Sequence, residues 1–592
     1  MFQHFKIGLR AKPRPWQRRC LYGILVCLST GIGALQAQNS TANNENARTP
    51  GELIQTSEMV KPSDKNTVRF LMQSTMGFTR SDIEKTQSAG FAEWIKIQQK
   101  LPLTPTEPYI EFLSSFGNRD QSVPARELPY HKVLSDGNTV GYLNFSTAWI
   151  RSILGGRDLL RQRMAWALSQ ILVVSNKTNL LTEASANYYD LLLSNAFGSY
   201  EDLLLQVTLH PVMGRYLSYL GNQKADPKKN RVPDENFARE IMQLFSIGLW
   251  QLEENGNRKL DAHNNYIPTY TNKDIQELAR VFTGFWLADS WLFGKIDWTK
   301  FDQPMSVYAG QHDNSAKTLL DGHIKIPANT NPMEEVKYVV KKLAQHPNTA
   351  PFITRKLIQN MVTSNPSADY IDRVVTVWKA SNGNLGQVVT AILLDKEARE
   401  SRPGASKTQK LKEPIIRITN VMKIFSCGSH LGKGPADYPG MQWWHPYLES
   451  EIQQEPLGAQ SVFNFFDSDY SAPGTIAAKN LVSPEFQLLD AVNLARFTNY
   501  LWDGLNAGFH VHPFGLESDP FDCNFHHETQ LLESYGPEKL INYLSLMLTA
   551  ETLSTERKLK IQRIMSKLQS SDEKVRAAIL GVAVSSEGAI LQ

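Results

Sequence analysis

The chain has 592 residues, of which 42% are apolar and 20% are charged. This composition excludes an intrinsically disordered protein. The formal net charge of +3 comes from the first 37 residues, which contain six of the 62 Lys and Arg side chains and no acid, so that 56 basic and 59 acidic side chains remain. The rest of the protein therefore has no excess of basic side chains that would bind a phosphate backbone, and we expect no nucleic-acid partner.

Residues 1–37 are predicted to be a signal peptide. A basic stretch precedes the apolar segment CLYGILVCLSTGIGALQA, which ends in small residues at Ala37. This segment is too short and too polar for a membrane span, so we expect no transmembrane anchor after its removal. Arg18-Arg19 resembles a twin-arginine signal, but Sec export is slightly favoured because Ser/Thr before the pair and Phe after it are missing. Either route predicts an exported protein, periplasmic or secreted.

Residues 38–65 are polar and lack apolar periodicity, so we expect a flexible linker there. Two cysteines, Cys427 and Cys523, remain after removal of the signal peptide. In an exported protein they would form one disulfide, but two buried free thiols fit the sequence about as well. The sequence leaves this choice open.

Residues 66–592 are predicted to form a helical domain, because apolar residues recur at three-to-four-residue spacing and strand patterns are rare and short. The clearest case is GRDLLRQRMAWALSQILVVS, in which Leu160, Met164 and Leu168 share one helix face. We therefore predict a mainly α protein, a large multi-helix globular molecule with long irregular loops and little or no sheet. A subdivision near residues 400–430 is left open.

Local signals predict where several helices begin and end. Pro211 is expected to divide one helical segment into two short helices. Asp234 is placed to cap the helix that follows it, and Thr271 and Asp274 have the spacing of a capping box. A long loop is expected at residues 287–331, and loops of that length are usually functional or well packed.

Several longer motifs follow one another along the chain: ENFAREIMQLFSIGL, YTNKDIQELARVFTGFW, HDNSAKTLLDG, HPNTAPFITRKLIQNMVTSNPS, LKEPIIRIT, EPLGAQSVFNFFDSDYSAPG and LVSPEFQLLD. Together they resemble the domain of unknown function 1800 family, a set of large bacterial proteins, from roughly Arg69 to the C-terminus. The resemblance implies export and a helical fold. It implies no established substrate.

The chain departs from that family in one place. Many members resemble WHNHF where this chain has the five residues from Leu168 to Leu172, so that Ser169 and Ile171 stand in place of two histidines. A metal-binding role that rests on those histidines does not carry over to this chain.

The helix within PDENFAREIMQLFSIGL carries polar residues beside its apolar stripe. Asn236 and Glu240 are four residues apart and share a face, and Arg239 is adjacent to them. In a functional interpretation, Glu240 is an acid or base, while Asn236, Arg239 and Arg355 bind a ligand. We favour a structural interpretation, a buried salt-bridge network, because an unpaired buried charge costs several kcal/mol.

The motif HDNSAKTLLDG supplies further candidates. His312 beside Asp313 would be a base with an orienting partner, which completes a predicted catalytic set with Glu240. Adjacent side chains point in different directions, however, and this weakens the pair. Lys317 and His346 are candidates for ligand binding, although His346 would equally close a helix end.

A histidine-rich segment, HVHPFGLESDPFDCNFHH, suggests a divalent metal site. His510 and His512 would project to one side of an extended chain, and His526 would add a third ligand, as in catalytic zinc sites. The segment lacks any standard zinc spacing. A loop of surface or stacking histidines is the interpretation that we favour.

Aromatic residues cluster between Trp286 and Tyr308 and again at Trp443-Trp444. Exposed rings would stack on sugars. Buried rings would anchor long loops to the core, which is the commoner outcome for large aromatic side chains.

These features predict a binding or assembly role in the envelope or outside the cell, with a polysaccharide or an exported protein as the partner. The alternative is a hydrolase-like enzyme with acid and His groups in a polar cleft, with or without a divalent metal as cofactor. The sequence contains no G-x-S-x-G motif, no Walker loop and no G-x-G-x-x-G in a βαβ context, which disfavours serine-elbow and phosphate-loop enzymes. Whether the protein is an enzyme is left open.

Overall fold

The computed structural model describes residues 63–106, 143–178, 182–290, 292–297, 300–400, 409–428, 448–509 and 522–591. The predicted signal peptide lies outside these residues. The first helix begins at Asp64 and is capped by Ser63, whose Oγ accepts a hydrogen bond from the Asn66 amide at 3.3 Å. The folded part therefore starts inside the predicted linker 38–65. From there on, the described residues belong to one compact unit, on both sides of residues 400–430.

Helices account for most of the described residues, and this confirms the mainly α fold class. The helices of the first half are α1 Asp64–Ser74, α2 Arg80–Ala89, α3 Phe91–Lys100, α4 Leu143–Gly155, α5 Leu159–Ser169, α6 Thr182–Ser194, α7 Tyr200–Leu209, α8 Pro211–Tyr216, α9 Asn236–Gln243 and α10 Asn272–Val281. As predicted, α7 and α8 are separated at Pro211.

The second half continues the helical pattern. Its helices are α11 Pro332–Ala344, α12 Thr349–Met361, α13 Ala368–Ala380, α14 Leu385–Leu394, α15 Lys396–Arg399, α16 Pro414–Ile424, α17 Leu448–Ile452, α18 Thr475–Ala478, α19 Ala491–Ala507, α20 His526–Thr549, α21 Thr555–Met565, α22 Ser571–Ala583 and α23 Ser586–Ala589. Within α20, Gly536 has a φ of 80° and precedes Pro537, so the helix is kinked there.

Strands in the described residues form three antiparallel pairs of two or three residues each. They are β1 Phe285–Trp286 with β2 Ser306–Val307, β3 Lys317–Leu319 with β4 Ile324–Ile326, and β5 Lys410–Leu411 with β6 Ile590–Leu591. The last pair joins the chain before α16 to the C-terminal end.

Helix α5 lies inside the core. It packs against α1, α3, α6 and α12, and each of its residues is buried, including Arg161, Gln162 and Arg163. The sequence predicted a helix with one buried apolar face, but α5 is buried on every face. Some of the polar atoms of these residues find partners: Trp166 Nε1 donates to Glu413 Oε2 at 3.0 Å, and Arg163 donates through Nη2 to the Asn360 carbonyl. Arg163 Nε and Nη1 are buried without a partner among the described residues.

The aromatic residues of the 287–331 segment anchor it to the core. Trp286 and Phe301 are buried. The rings of Trp286 and Phe293 are 5.4 Å apart, and those of Phe293 and Tyr308 are 5.3 Å apart. Anchoring is thus confirmed for these rings. Trp291, Trp298, Trp443 and Trp444 lie outside the described residues.

A disulfide joins Cys427 to Cys523 across a sequence separation of 96 residues, so the bridge, not the pair of free thiols, is the correct alternative. Next to it, Gly428 donates its amide to the Asp522 carbonyl at 3.0 Å, and Asn524 donates to the Phe425 carbonyl at 2.9 Å. Within the described part of the chain, no helix combines the length and the hydropathy that crossing a membrane requires.

Candidate functional site

Local bonds determine where α9, the helix of the first candidates, begins. The Asp234 carboxylate accepts a hydrogen bond from the Asn236 amide at 2.8 Å, so Asp234 caps the helix as predicted, although Glu235 lies between it and α9. Beyond the helix, Gly248 has a φ of 69°. A Cβ there would lie 2.8 Å from the Phe352 ring, so this turn requires glycine.

Asn236 and Arg239 lie on the outer side of α9. Asn236 is exposed, and its side-chain amide is 3.4 Å from Ser218 Oγ. Arg239 Nη2 is 3.6 Å from Glu235 Oε2, and both side chains are partly exposed. The favoured interpretation, a buried salt-bridge network, therefore does not describe Arg239, whose ion pair is at the surface and is weak in energy.

Glu240 occupies the inner side of the same helix. It is 5% exposed, and its Oε2 has no hydrogen-bond partner among the described residues. Burial raises the pKa of Glu240, while Arg239 opposes that rise. Burial raises the pKa of Tyr216 and that of Tyr270 to about 12, and the negative charge of Glu240 adds to the rise. A buried carboxyl group with a free oxygen thus lies near two partly exposed tyrosines.

Tyr270 connects this position to the next part of the chain. Its hydroxyl donates to Gln243 Oε1, in the last residue of α9, at 3.0 Å. We call Glu240, Tyr216 and Tyr270 the Glu240 site. Its carboxyl group can accept a hydrogen bond from a ligand hydroxyl or, when protonated, donate a proton.

His312, Lys317 and Glu335 form a cluster whose side chains have no exposed surface. Lys317 Nζ donates to both carboxylate oxygens of Glu335, at 2.8 and 3.1 Å. His312 Nδ1 donates to the Thr283 carbonyl at 2.8 Å, and its Nε2 is 3.4 Å from Glu335 Oε2. The cluster ties β3 to the first turn of α11. In this conformation it holds two predicted site residues away from solvent.

Asp313 follows His312 in the chain but has a different partner. Its carboxylate accepts two hydrogen bonds from Arg280, at 3.0 and 3.3 Å. Burial acts to raise the pKa of Asp313, but the hydrogen bonds from Arg280 and Ser315 prevail and lower it to about 2. Arg280 also donates to Glu277, at 2.8 and 2.9 Å. Asp313 therefore fastens the segment before β3 to α10, and its described bonds do not orient His312.

His346 lies three residues before α12, and Arg355 lies in the middle of that helix. His346 Nδ1 accepts a hydrogen bond from the Asn348 amide at 3.1 Å. This contact closes the turn between α11 and α12, as one of the two interpretations expects. Burial, with a contribution from His323, lowers the pKa of His346 to about 4. Arg355 is partly buried, with Nη1 3.5 Å from the Gly256 carbonyl, and burial lowers its pKa.

The structure brings some of the predicted residues together and leaves others apart. His312 and Lys317 meet at Glu335. Helix α10 packs against both α9 and β3, so it lies beside the Glu240 site as well as this cluster. Among the described residues, no hydrogen bond or ion pair joins Glu240 to His312 or Asp313, and the predicted catalytic set is not assembled by direct contacts.

The predicted metal site falls mostly outside the described residues. His510 and His512 are not described. His526 is exposed at the start of α20, and its backbone amide donates to Asn524 Oδ1 at 2.9 Å. Within the described ranges, no group of three or more His, Cys, Asp and Glu side chains is placed to hold a metal ion.

Glu335, Tyr216 and Tyr270 belong to these arrangements but were not recognised from sequence. Tyr270 directly precedes the capping box of α10, which places a ring at a loop–helix junction close to the ENFAREIM helix. No local signal distinguishes Glu335, since an acid in the first turn of a helix is ordinarily a surface residue. Only the long-range packing of α11 makes it the partner of Lys317.

Comparison with known proteins shows the class to which this helical fold belongs. The family described as protein of unknown function (DUF1800) matches residues 69–588. The chain therefore belongs to this family, which confirms the resemblance of its motifs. No curated protein and no solved structure matches the chain.

Proposed function

We propose that this protein is an exported polysaccharide-binding protein of the cell envelope or exterior, and that the Glu240 site contacts the sugar. The observation that carries the proposal is the buried Oε2 of Glu240, which has no partner among the described residues and lies near Tyr216 and Tyr270. A buried acceptor without a hydrogen bond costs about 1–3 kcal/mol. A ligand hydroxyl that donates to it would recover this cost.

The chemistry of the site suits a carbohydrate. A carboxylate is an acceptor for sugar hydroxyls, and a tyrosine ring offers an apolar face with a polar edge, which matches the C–H face and the hydroxyl rim of a pyranose. Arg239 at the outer side of α9 would supply further donors.

An exposed aromatic surface adjoins Tyr270 along the chain. Residues 249–269 form an irregular hairpin, with bridges from Trp250 to Pro268 and from Leu260 to Tyr266. Tyr266 is 48% exposed, its ring is 5.6 Å from that of Trp250, and the Arg258 guanidinium lies 5.0 Å from its centre. This hairpin supports a ligand longer than one sugar unit.

Export is part of the proposal because of the basic and apolar leader in residues 1–37. The Cys427–Cys523 disulfide supports it, since such bridges persist mainly in oxidising compartments. Fractionation of cells that express the full-length chain tests this part. Protein found only in the cytoplasm, with its leader uncleaved, would contradict it.

Binding is tested with the purified full-length protein and a panel of soluble oligosaccharides by isothermal titration calorimetry. Tyr270→Ala is expected to weaken binding roughly two- to tenfold, since a stacked aromatic contact is worth about 0.5–1.5 kcal/mol. Tyr535→Ala is the matched control, because Tyr535 is an exposed tyrosine on α20. Equal affinities for wild type and Tyr270→Ala would rule out sugar binding at this site.

Hydrolysis is the second candidate, favoured by the raised pKa of Glu240, which keeps more of its carboxyl group protonated and able to act as an acid. His312 and Asp313 would enter this mechanism only after leaving Glu335 and Arg280. The variant Glu240→Gln separates the candidates. A binding protein keeps most of its affinity, whereas a hydrolase keeps affinity but loses the release of reducing sugar ends by at least a hundredfold.

A metal-assisted form of that hydrolase would contain stoichiometric metal. Elemental analysis of the purified protein, wild type and His510→Ala, checks this point. Zinc or iron that is present in the wild type and lost in the variant would support metal assistance, whereas a metal-free protein that still cleaves a glycan would exclude it.

A further inference from the structure

Arg258 connects the 249–269 hairpin to a neighbouring loop at the protein surface. Its guanidinium lies 5.0 Å from the centre of the exposed Tyr266 ring, and its Nη2 donates to Asp469 Oδ2 at 2.8 Å. Both Arg258 and Asp469 are exposed. The hairpin and the loop at residues 467–469 thus meet in contact with solvent, beside an aromatic ring of the proposed sugar surface.

Helix α12 lies on the other side of this junction. Gln359 Nε2 donates to the Ser468 carbonyl at 3.4 Å, so the loop also contacts the helix. One turn earlier, Arg355 Nη1 is 3.5 Å from the carbonyl of Gly256, which is two residues before Arg258. The hairpin, the loop and α12 therefore each contact the other two, and together they surround one area of the surface.

Two cations of α12 in this area have donor atoms that are still available. Lys356 makes no hydrogen bond or ion pair through Nζ among the described residues, and its ammonium lies 5.0 Å from the centre of the Phe352 ring. Arg355 has the single contact to Gly256, which leaves Nη2 without a partner in the same part of the chain. Both residues are half-buried. Lys356 Nζ and Arg355 Nη2 nevertheless reach solvent, in contrast to Arg355 Nε, which is sealed.

The charges in this area are incompletely balanced. Burial lowers the pKa of Lys356, and the charges of Asp469 and Asp467 oppose that change. Burial also lowers the pKa of Arg355, which Asp469 opposes and Arg258 reinforces. These groups comprise three cations and two acids, and Asp469 is already paired with Arg258. One further negative charge is therefore favourable at the available donors.

We propose that Arg355 and Lys356, with Arg258 beside them, bind the carboxylate of an acidic sugar, so that the ligand is a polysaccharide that contains uronic acids. We call these three residues the Lys356 site. The inference rests on the proposed function and names its ligand class. A carboxylate has two oxygens that accept from a guanidinium and an ammonium at once. The Tyr266 ring next to Arg258 provides an apolar surface for the sugar.

Other ligand classes fit the Lys356 site less well. A phosphate monoester carries a charge of about −1.5 to −2 at neutral pH, and Asp467 and Asp469 repel it more strongly than a singly charged carboxylate. A metal ion is repelled by the three cations, and the described residues hold no cluster of three His, Cys, Asp or Glu ligands. A neutral sugar leaves the charge of Lys356 unbalanced.

The test is isothermal titration calorimetry of the full-length protein with two pairs of oligosaccharides that differ only at C6. The pairs are cellohexaose with hexaglucuronate and mannohexaose with hexamannuronate, all β-1,4-linked. The variants Lys356→Met and Arg355→Met remove one cation each and keep the apolar stem. The matched control is Lys337→Met, which removes a surface cation of α11 that is paired with Glu334.

In wild type, an acidic hexasaccharide should bind at least about tenfold more tightly than its neutral counterpart, because a charge-assisted hydrogen bond is stronger than a neutral one. This preference should fall below about threefold in Lys356→Met and in Arg355→Met and persist in Lys337→Met. Added salt should reduce it in wild type. Lys356→Met should keep the thermal midpoint of wild type, because Lys356 has no hydrogen-bond partner to lose among the described residues.

The outcomes separate this inference from the proposed function. Equal affinities for acidic and neutral sugars in wild type, both weakened in Tyr270→Ala, would overturn the acidic ligand and keep the proposed function. An acidic preference that survives in both methionine variants would overturn the Lys356 site. Free glucuronate that binds as tightly as hexaglucuronate would overturn the polymeric ligand. A wild type that binds none of the sugars would overturn both proposals.

Discussion

Buried ionisable side chains in the described residues differ in whether their partners are complete. Lys317 bonds to both oxygens of Glu335 and to the Asp313 carbonyl, at 2.6 Å. Glu240 and Glu455 each keep an oxygen with no described partner. Complete pairs hold elements in register, whereas incomplete groups cost stability unless something else binds them.

Removal of Lys317 should therefore be costly. In Lys317→Met the Glu335 carboxylate stays buried without its cation, with His312 Nε2 3.4 Å away, and loss of one member of a buried pair costs about 3–5 kcal/mol. Urea denaturation measures the change in the free energy of unfolding. The control is Lys337→Met, which removes an exposed pair with Glu334 and should change stability by less than about 0.5 kcal/mol. Similar small changes in both variants would contradict the structural role of the cluster.

Glu455 predicts a specific pH dependence. Burial and, after it, the charge of Glu449 raise its pKa from 4.5 to about 7, while Lys177 opposes the rise. A raised pKa means that the folded state binds the proton more tightly, so this contribution to stability is present below pH 4.5 and is lost as the pH rises toward 7. A tenfold change in the proton affinity of this carboxyl group corresponds to about 1.4 kcal/mol.

The measurement compares the free energy of unfolding of wild type and Glu455→Gln between pH 4.5 and pH 8. The wild type should lose stability relative to the variant as pH rises, and the difference should level off above pH 7. Parallel profiles would show that Glu455 titrates normally.

At the scale of elements, one asparagine holds the 249–269 hairpin to helix α12. Asn348 Nδ2 donates to the carbonyls of Ile247 and Trp250, at 2.5 and 2.9 Å, and its Oδ1 accepts from the Leu252 amide at 2.6 Å. The side chain is buried. The side-chain nitrogen and oxygen of Asn348 thus both bond to the backbone at the base of the hairpin.

Asn348→Ala should consequently loosen the hairpin before the rest of the fold. Loss of the bond to Oδ1 should raise the hydrogen-exchange rate of the Leu252 amide roughly two- to tenfold, since a hydrogen bond is worth about 0.5–1.5 kcal/mol. Exchange resolved by mass spectrometry or NMR measures this. Asn365→Ala, which frees the Val482 amide instead, is the control. Unchanged exchange at Leu252 would show that packing alone holds the hairpin.

At the scale of the whole molecule, two links close the chain on itself. Strands β5 and β6 pair residues near position 410 with the C-terminal end. The Cys427–Cys523 disulfide joins the end of α16 to the start of α20. Both links connect parts of the chain that are far apart in sequence. The strand pair is lost on unfolding, but the disulfide persists in the unfolded chain and limits it more than a bridge over a short loop would.

Removal of the disulfide should destabilise the whole unit. The double variant Cys427→Ser/Cys523→Ser is expected to lose about 2–5 kcal/mol, because the bridge closes a loop of 96 residues. Denaturation of wild type with and without a reductant is the second measurement. The reduced wild type and the double variant should unfold alike. Equal stability of the oxidised and the serine forms would mean that the bridge adds no constraint.

The sequence by itself determined the features that depend on neighbouring residues. The break at Pro211, the cap at Asp234 and the capping box at Thr271 follow from local backbone geometry, so each could be predicted and each is present. The mainly α fold class follows in the same way, from apolar spacing within single segments.

Tertiary structure alone decided the polar interior and the candidate sites. No local signal separates α5, buried on every side, from a helix with one exposed face, pairs Lys317 with Glu335, or decides whether Cys427 and Cys523 are bridged or free. Likewise, Glu240 and Asn176 are recognised as incompletely bonded only when every neighbour is known. Burial and partnership depend on contacts between distant segments, and spacing along one segment carries no information about what packs against it.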